Sequence, residues 1–169
     1  MQGADVLLTI AEIAVAFAGF ASIVVLFQHR DPGRWPAAVV VRLRTMIEGS
    51  LVTLFSALLP IVLHHLGLSG GTLWSVCSVA LALGYAVFGG LVWRRSRAAL
   101  AGGQLSPAFS AAVAGVTVAL GAGLLLNAAD LVFHRTFGAY LAGVAWALVF
   151  ASLMFLRLAA FPIGASGSE

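Results

Sequence analysis

Five long apolar segments constrain this chain more than any other feature. They run over Val6–Gln28, Ala37–Leu66, Leu73–Trp93, Ala108–Leu131 and Phe137–Phe161. About 20 apolar residues form a helix long enough to cross a ~30 Å hydrocarbon core. Lipid offers no partner to backbone polar groups, and the alternating pattern of barrel strands is absent, so the segments must be helical. The sequence predicts an all-α integral membrane protein, a single domain over residues 1–169 with a bundle of five transmembrane helices.

The composition supports a lipid environment. Charged residues make up 9% of the 169 residues and hydrophobic residues 62%, whereas a soluble domain carries about 25% charged residues. The N-terminal "MQGADVLL" has no positive charge, so we expect the first segment to be retained rather than cleaved as a signal. The basic residues are all arginine, which favours a GC-rich bacterial source. They flank the apolar segments, so the expected partner is the lipid bilayer and not nucleic acid.

The placement of arginine predicts the orientation. Seven of the nine lie in or beside the first and third loops: Arg30, Arg34, Arg42, Arg44, Arg94, Arg95 and Arg97. The second loop has none, the fourth has Arg135, and Arg157 lies near the C-terminus. Cytoplasmic loops are enriched in Lys and Arg. We therefore predict an extracytoplasmic N-terminus and a cytoplasmic C-terminus, in a multi-pass protein of the bacterial cytoplasmic (inner) membrane.

Small residues recur at four-residue spacing along several segments. Close packing of small side chains is a main driving force for helix association in lipid. The clearest series are Ala111, Gly115, Ala119 and Gly123 in the fourth segment, and Ala139, Gly143, Ala147 and Ala151 in the fifth. They can serve packing within one bundle. Because one short bundle can bury only some of these faces, we also expect a homo-oligomer assembled through them.

The second segment carries a polar stripe inside its apolar run. Polar or small residues recur every three or four positions from Arg42 to His64. A pore-lining helix and a well-packed central helix both show this pattern. Pro60 is expected to kink the helix and act as a hinge. The candidate residues of an ion path are Glu12, Arg44, Thr45, Glu48, Thr53, Ser56 and His64.

Two acids lie inside predicted spans, away from the segment ends. Glu48 follows Arg44 by four residues, so the two can pair on one helix face. Glu12 has no basic residue in its own segment, so it must be protonated or partnered from another helix, with the histidines as prime candidates. The two acids lie near opposite membrane faces, well over ~10 Å apart. They therefore do not form a catalytic carboxylate pair.

A polar cluster is predicted at the extracytoplasmic side. Its members are His65, Asn127, Asp130, His134 and Arg135, with Asn127, Asp130 and His134 at helical spacing. The cluster either caps helix ends in the interface or forms a vestibule that attracts cations or relays protons.

The sequence is compatible with three alternative functions. The first is a homo-oligomeric ion- or proton-conducting protein whose second helix lines the path. The second is a non-catalytic accessory or scaffold subunit of a larger complex. The third is a membrane protein that binds haem, through His64 and His134, or another lipophilic cofactor. Since no catalytic or nucleotide-binding motif occurs and the chain has one cysteine, we expect no enzyme, no metal site and no cofactor under the first two hypotheses.

Overall fold

The computed structural model describes residues 3–28, 37–101 and 106–159, and within these ranges it consists of helices joined by turns, with no strand. The helices are α1 (Ala4–Gln28), α2 (Ala37–His65), α3 (Gly70–Ala101), α4 (Pro107–Ala128) and α5 (Phe137–Ala159). Each contains a stretch long and apolar enough to cross a membrane. The all-α prediction with five such helices is confirmed, and the architecture fits a multi-pass membrane protein.

Two helices have boundaries that differ from those predicted. The third helix begins at Gly70 and continues past Trp93 to Ala101, because "RRSRAALA" consists almost entirely of strong helix formers. The fourth ends at Ala128 rather than Leu131, since Ala129 is its C-cap and Asp130 has a φ of 63°. The first and second helices match to within two residues, and the predicted end of the fifth, at 161, lies outside the described residues.

Successive helices run antiparallel, so their ends meet at two opposite sides of the bundle. We call the end with Arg42, Arg95 and Arg157 the arginine end, and the end with His64 and His134 the histidine end. The central helix is α2, which packs against α1, α3 and α5. Helix α4 packs against α3 and α5, and in the described part of the chain it contacts neither α1 nor α2. The orientation of these ends across a membrane remains a prediction.

The core is centred on two aromatic residues of the histidine half. Tyr140 is fully buried, and its ring centroid lies 5.8 Å from that of Trp74. Around them pack side chains from all five helices, including Leu7, Ala57 and Leu124. This cluster joins the helices at the depth where α2 carries its proline.

The small-residue faces of α4 and α5 have different environments. A Cβ on Gly143 would lie 2.9 Å from Leu81 Cδ2 and 3.1 Å from Leu124 Cδ1, so this glycine allows α3 and α4 to approach α5. Ala147 and Ala151 on the same face are buried as well. On α4, by contrast, Ala111, Gly115 and Ala119 are exposed. Of the two faces predicted to join subunits, the α5 face thus packs within the chain and the α4 face is accessible.

Pro60 is buried inside α2, which continues through it to His65. Proline has no N–H, so the carbonyl four residues earlier, that of Ser56, loses its helical donor. The Tyr140 hydroxyl of α5 donates a hydrogen bond to this carbonyl. An unpaired carbonyl in an apolar core costs free energy, so Tyr140 offsets the defect that Pro60 creates.

Asn127, in the last turn of α4, is the centre of a second group of buried hydrogen bonds. Its Nδ2 donates to Ser78 Oγ at 2.9 Å and to the Thr136 carbonyl at 3.3 Å, and its Oδ1 accepts from the Thr136 N–H at 3.0 Å. Nearby, Ser75 Oγ donates to the Ala128 carbonyl at 2.8 Å. These bonds fix the histidine end of α4 against α3 and the start of α5.

We predict that Tyr140→Phe lowers the free energy of unfolding by about 1–3 kcal/mol, because it leaves the Ser56 carbonyl without a donor. Pro60→Ala supplies an N–H to that carbonyl, so in its presence Tyr140→Phe should cost much less. The measurement is a double-mutant cycle by denaturant unfolding in mild detergent.

The matched control is Tyr85→Phe. Tyr85 donates to the Gly143 carbonyl, whose position in the regular part of α5 leaves it a helical N–H donor. The expected loss is therefore smaller, near the ~0.6 kcal/mol typical of interhelical hydrogen bonds. Equal costs for Tyr140→Phe with and without Pro60→Ala would contradict the role assigned to Tyr140.

Candidate functional site

A cavity of about 430 Å³ lies between α2 and α4 in the arginine half of the bundle. α3 and α5 form its side walls. Its lining is predominantly apolar and aromatic, with side chains such as Val52, Phe88, Trp93, Val113, Phe150 and Met154. The described part of α4 does not contact α2, which leaves this space between the two helices. Polar contacts join α4 to α3 near its histidine end and to α5 near its middle.

The polar side chains in the part of the wall away from the arginines form hydrogen bonds within the protein. Trp146 Nε1 donates to Thr117 Oγ1 at 3.0 Å, and the Thr117 hydroxyl donates to the Val113 carbonyl at 2.8 Å. The Tyr85 hydroxyl donates a hydrogen bond to the Gly143 carbonyl. Since these groups are satisfied within the protein, this part of the cavity offers an apolar surface to a ligand.

The charged side chains in the described lining are Arg42 of α2 and Arg157 of α5, both at the arginine end. The Arg157 guanidinium lies 3.4 Å from the centroid of the Phe109 ring of α4, a cation–π contact. The cavity therefore combines an apolar chamber with a positively charged end.

The rim of the cavity lies between α3 and α4. Ala86 and Trp93 of α3 and Val118 of α4 line it and are exposed. A Cβ on Gly89 or Gly90 would meet nothing within 4 Å, so α3 presents little side-chain bulk here. The cavity therefore reaches the surface of the bundle beside α3 and α4.

Next to the cavity, the Glu48 carboxylate forms ion pairs with two arginines. Arg44 Nε donates to Glu48 Oε1 at 2.8 Å, as the i,i+4 spacing predicts, and Arg95 Nη1 of α3 donates to Oε2. Sequence spacing could not find Arg95, because the contact depends on α3 continuing as a helix through the predicted loop. The cluster ties the arginine ends of α2 and α3 together, which supports a structural role for Glu48.

The polar stripe of α2 faces the interior of the bundle. Thr45, Thr53 and Ser56 are buried, and the Thr53 hydroxyl donates to the Gly49 carbonyl at 2.9 Å. Thr45 lines the cavity, whereas Thr53 and Ser56 lie in the packed region beyond it. This arrangement matches the well-packed central helix that the same pattern predicts. Ion conduction along α2 stays a prediction.

The structure does not bring Glu12 to the histidines. Within the described residues Glu12 has no polar partner, and it is exposed on α1. His64 Nδ1 lies 3.2 Å from the Leu68 carbonyl and His65 Nδ1 lies 2.8 Å from the Ile61 carbonyl. The histidines thus bond to the end of their own helix and the turn after it.

The predicted outer cluster divides into a buried part and an exposed part. Asn127 is buried, whereas Asp130 and His134 are exposed, with Oδ1 and Nδ1 3.6 Å apart. Arg135 packs over Gly71. The helical spacing assumed for these residues is wrong after Ala128, since Asp130, His134 and Arg135 all have positive φ. In the described residues no group of three or more His, Cys, Asp or Glu side chains could hold a metal ion.

Comparison of the chain with family models, curated proteins and solved structures finds no match. The site must be interpreted from its own chemistry. Arg42 and Arg157 lie in segments far apart in sequence, and no motif connects them. Their shared position at one cavity end is visible only in the folded bundle.

We predict that Glu48→Gln destabilises the protein by about 1–2 kcal/mol, because two charge-assisted hydrogen bonds are weakened and two arginines are left side by side. Unfolding in detergent measures the effect. Arg97→Gln is the control, since Arg97 is exposed on the same helix as Arg95 and makes no ion pair with a described residue. An unchanged stability of Glu48→Gln would contradict a structural role for the cluster.

Proposed function

We propose that this chain is a non-enzymatic multi-pass membrane protein that binds an anionic phospholipid from the surrounding bilayer in the cavity between α2 and α4. The observation that carries the proposal is the combination of an apolar chamber with Arg42 and Arg157 at one end. A phospholipid is complementary to these two parts, since it carries an apolar acyl chain and a negatively charged phosphate at one end.

The chamber suits an acyl chain. Its volume of 430 Å³ lies within the ~300–1,000 Å³ range of ligand sites. The Thr117 hydroxyl and the Trp146 indole N–H already have hydrogen-bond partners within the protein. An alkyl chain in the chamber would therefore contact an apolar surface. Contacts between the chain and this wall would contribute through close packing.

The arginine end suits a phosphate. Guanidinium groups bind phosphate oxygens through paired, charge-assisted hydrogen bonds. Both side chains line the same cavity, so an anion there can interact with both positive charges. Arg157 is held in place by its contact with the Phe109 ring, which reduces the entropy lost when a ligand binds.

The position of the cavity also favours a bilayer lipid. The predicted orientation places the arginine end at the cytoplasmic face, where anionic lipids are concentrated. The sideways opening between α3 and α4 would allow a lipid to enter from the leaflet without leaving the membrane. The hypothesis develops the third function considered from the sequence, a membrane protein that binds haem or another lipophilic cofactor. It takes a phospholipid as the ligand because the charged residues of the cavity are arginines.

We predict that wild-type protein purified in mild detergent retains an anionic phospholipid, detected by native mass spectrometry. The double variant Arg42→Gln/Arg157→Gln should retain at least about tenfold less, the ratio that ~1.4 kcal/mol of lost head-group interaction produces. Ala114→Trp, which places a large side chain in the chamber wall, should also reduce retention.

Arg94→Gln/Arg97→Gln is the matched control, since it removes the same charge at the same end of the bundle, from exposed positions. Vesicles of zwitterionic lipid with added anionic lipid or added inorganic phosphate separate head-group binding from binding of free phosphate. Equal retention of anionic lipid by the two double variants would refute the proposal.

A further inference from the structure

A second cavity, of about 320 Å³, lies between α3 and α4 on the histidine side of the chamber. We call it the α3–α4 groove. It shares four lining residues with the chamber, namely Tyr85 and Ala86 of α3 and Thr117 and Val118 of α4. These four lie at the end of the chamber away from the two arginines. The groove therefore continues the chamber in line, and a linear ligand can pass from one into the other.

The groove is apolar along its length. Its other lining residues are small or aliphatic: Ala82 of α3 and Gly121, Ala122 and Leu125 of α4. A Cβ on Gly121 would meet nothing within 4 Å, so there is open space beside α4 at this position. The hydroxyls of Tyr85 and Thr117 are hydrogen-bonded within the protein. Because no charged side chain is among the described residues that line the groove, the part of a ligand that occupies it must be apolar.

Hydrogen bonding between α3 and α4 closes the far end of the groove. Asn127 follows Leu125 by two residues, and Ser78 precedes Ala82 by one turn. Asn127 Nδ2 donates to Ser78 Oγ at 2.9 Å, and both side chains are fully buried. The groove thus starts at the chamber and ends at a fixed polar contact, which gives it a definite length.

The chamber and the groove together are longer than one leaflet of a bilayer is deep. Along α4 the chamber spans Phe109 to Val118, or ~14 Å, and the groove continues to Leu125 for a further ~10 Å. One leaflet supplies about half of the ~30 Å hydrocarbon core. Acyl chains in a fluid bilayer are disordered, so a chain held straight between helices reaches farther than the leaflet is deep. The part of the chain that passes the chamber would therefore enter the groove.

We infer that the α3–α4 groove binds the terminal part of an acyl chain whose head group lies at Arg42 and Arg157, and that its closed end makes the site selective for chain length. The inference rests on the proposed function and adds to it a choice among anionic phospholipids by their acyl chains. A short chain leaves the groove unfilled and forgoes its packing contacts. A chain longer than the groove meets the contact between Asn127 and Ser78.

Competition between anionic lipids that differ only in their acyl chains tests the groove. The protein is equilibrated in mild detergent with an equimolar mixture of dilauroyl- and dipalmitoyl-phosphatidylglycerol, and native mass spectrometry identifies the retained lipid. Gly121→Leu fills open space in the groove. The ratio of retained dipalmitoyl to dilauroyl lipid should fall by at least about fivefold, the low end of what overfilling a packed site costs. Retention of the dilauroyl lipid should stay as in the wild type, because the chamber and the arginines are unchanged.

Gly115→Leu is the matched control. A Cβ on Gly115 also meets nothing within 4 Å, and this residue of α4 lines neither cavity. Its lipid ratio should equal that of the wild type. Ala122→Leu, at an exposed position in the groove, is a second filling variant and should shift the ratio in the same direction as Gly121→Leu. An unchanged ratio in both groove variants, or an equal change in Gly115→Leu, would overturn the inference.

The same experiment separates this inference from the proposed function. Arg42→Gln/Arg157→Gln should lower the retention of both lipids by the same factor and leave their ratio unchanged. Anionic lipid retained at a ratio that the groove variants do not alter would contradict chain-length selection and leave the head-group site standing. Wild-type protein that retains neither lipid would refute both proposals.

Discussion

The hydrogen bond from Tyr140 to the Ser56 carbonyl is the contact around which the bundle is organised. Pro60 interrupts the backbone hydrogen bonding of the central helix at a point surrounded by apolar side chains, where an unpaired carbonyl is costly. Only a helix that carries a hydroxyl at the right depth can pack there. The bond fixes the depth and rotation of α5 relative to α2, and the Trp74 ring of α3 then packs against Tyr140. Helices α1 and α4 add side chains to the same core cluster.

Helix α4 is attached to this framework differently. Its polar contacts concentrate in its last turn, at Asn127 and Ala128, and the cavity begins where they end. Toward the arginine end, Trp146 bonds to Thr117 and Arg157 stacks on Phe109, and α4 also packs against α3. The chamber is thus bounded by a helix that, in its described part, does not contact α2. The proposed lipid would lie against this wall.

Much of the fold could be predicted from the sequence because apolar length is a strong signal. The five helices, the i,i+4 pair of Arg44 and Glu48, and the helical stripe of α2 all depend on spacing along one segment. The contacts of Arg95 with Glu48 and of Arg157 with Phe109 depend on how different helices are rotated about their axes. Hydropathy carries little information about that rotation, since lipid-facing and core-facing side chains are both apolar. The cavity could not be predicted for the same reason.

The polar cluster near the histidine end shows a second limit. Its residues were placed on one helix by their spacing, but α4 ends at Ala128 and separates buried Asn127 from exposed Asp130 and His134. Tertiary contacts favour this ending, because Asn127 can reach the Thr136 backbone only if the chain turns back at once. A helix continued to Leu131 would carry Thr136 away from it.

The same bonds have a consequence for the order in which the protein assembles during synthesis. Asn127 takes one partner, Ser78, from a helix made before it and another, Thr136, from a residue made nine positions later. While the chain emerges, the fourth span can meet α3 but keeps part of its amide unsatisfied until the turn that follows is complete. The full set of bonds that fixes the end of α4 therefore needs a residue that is added after α4 itself is complete.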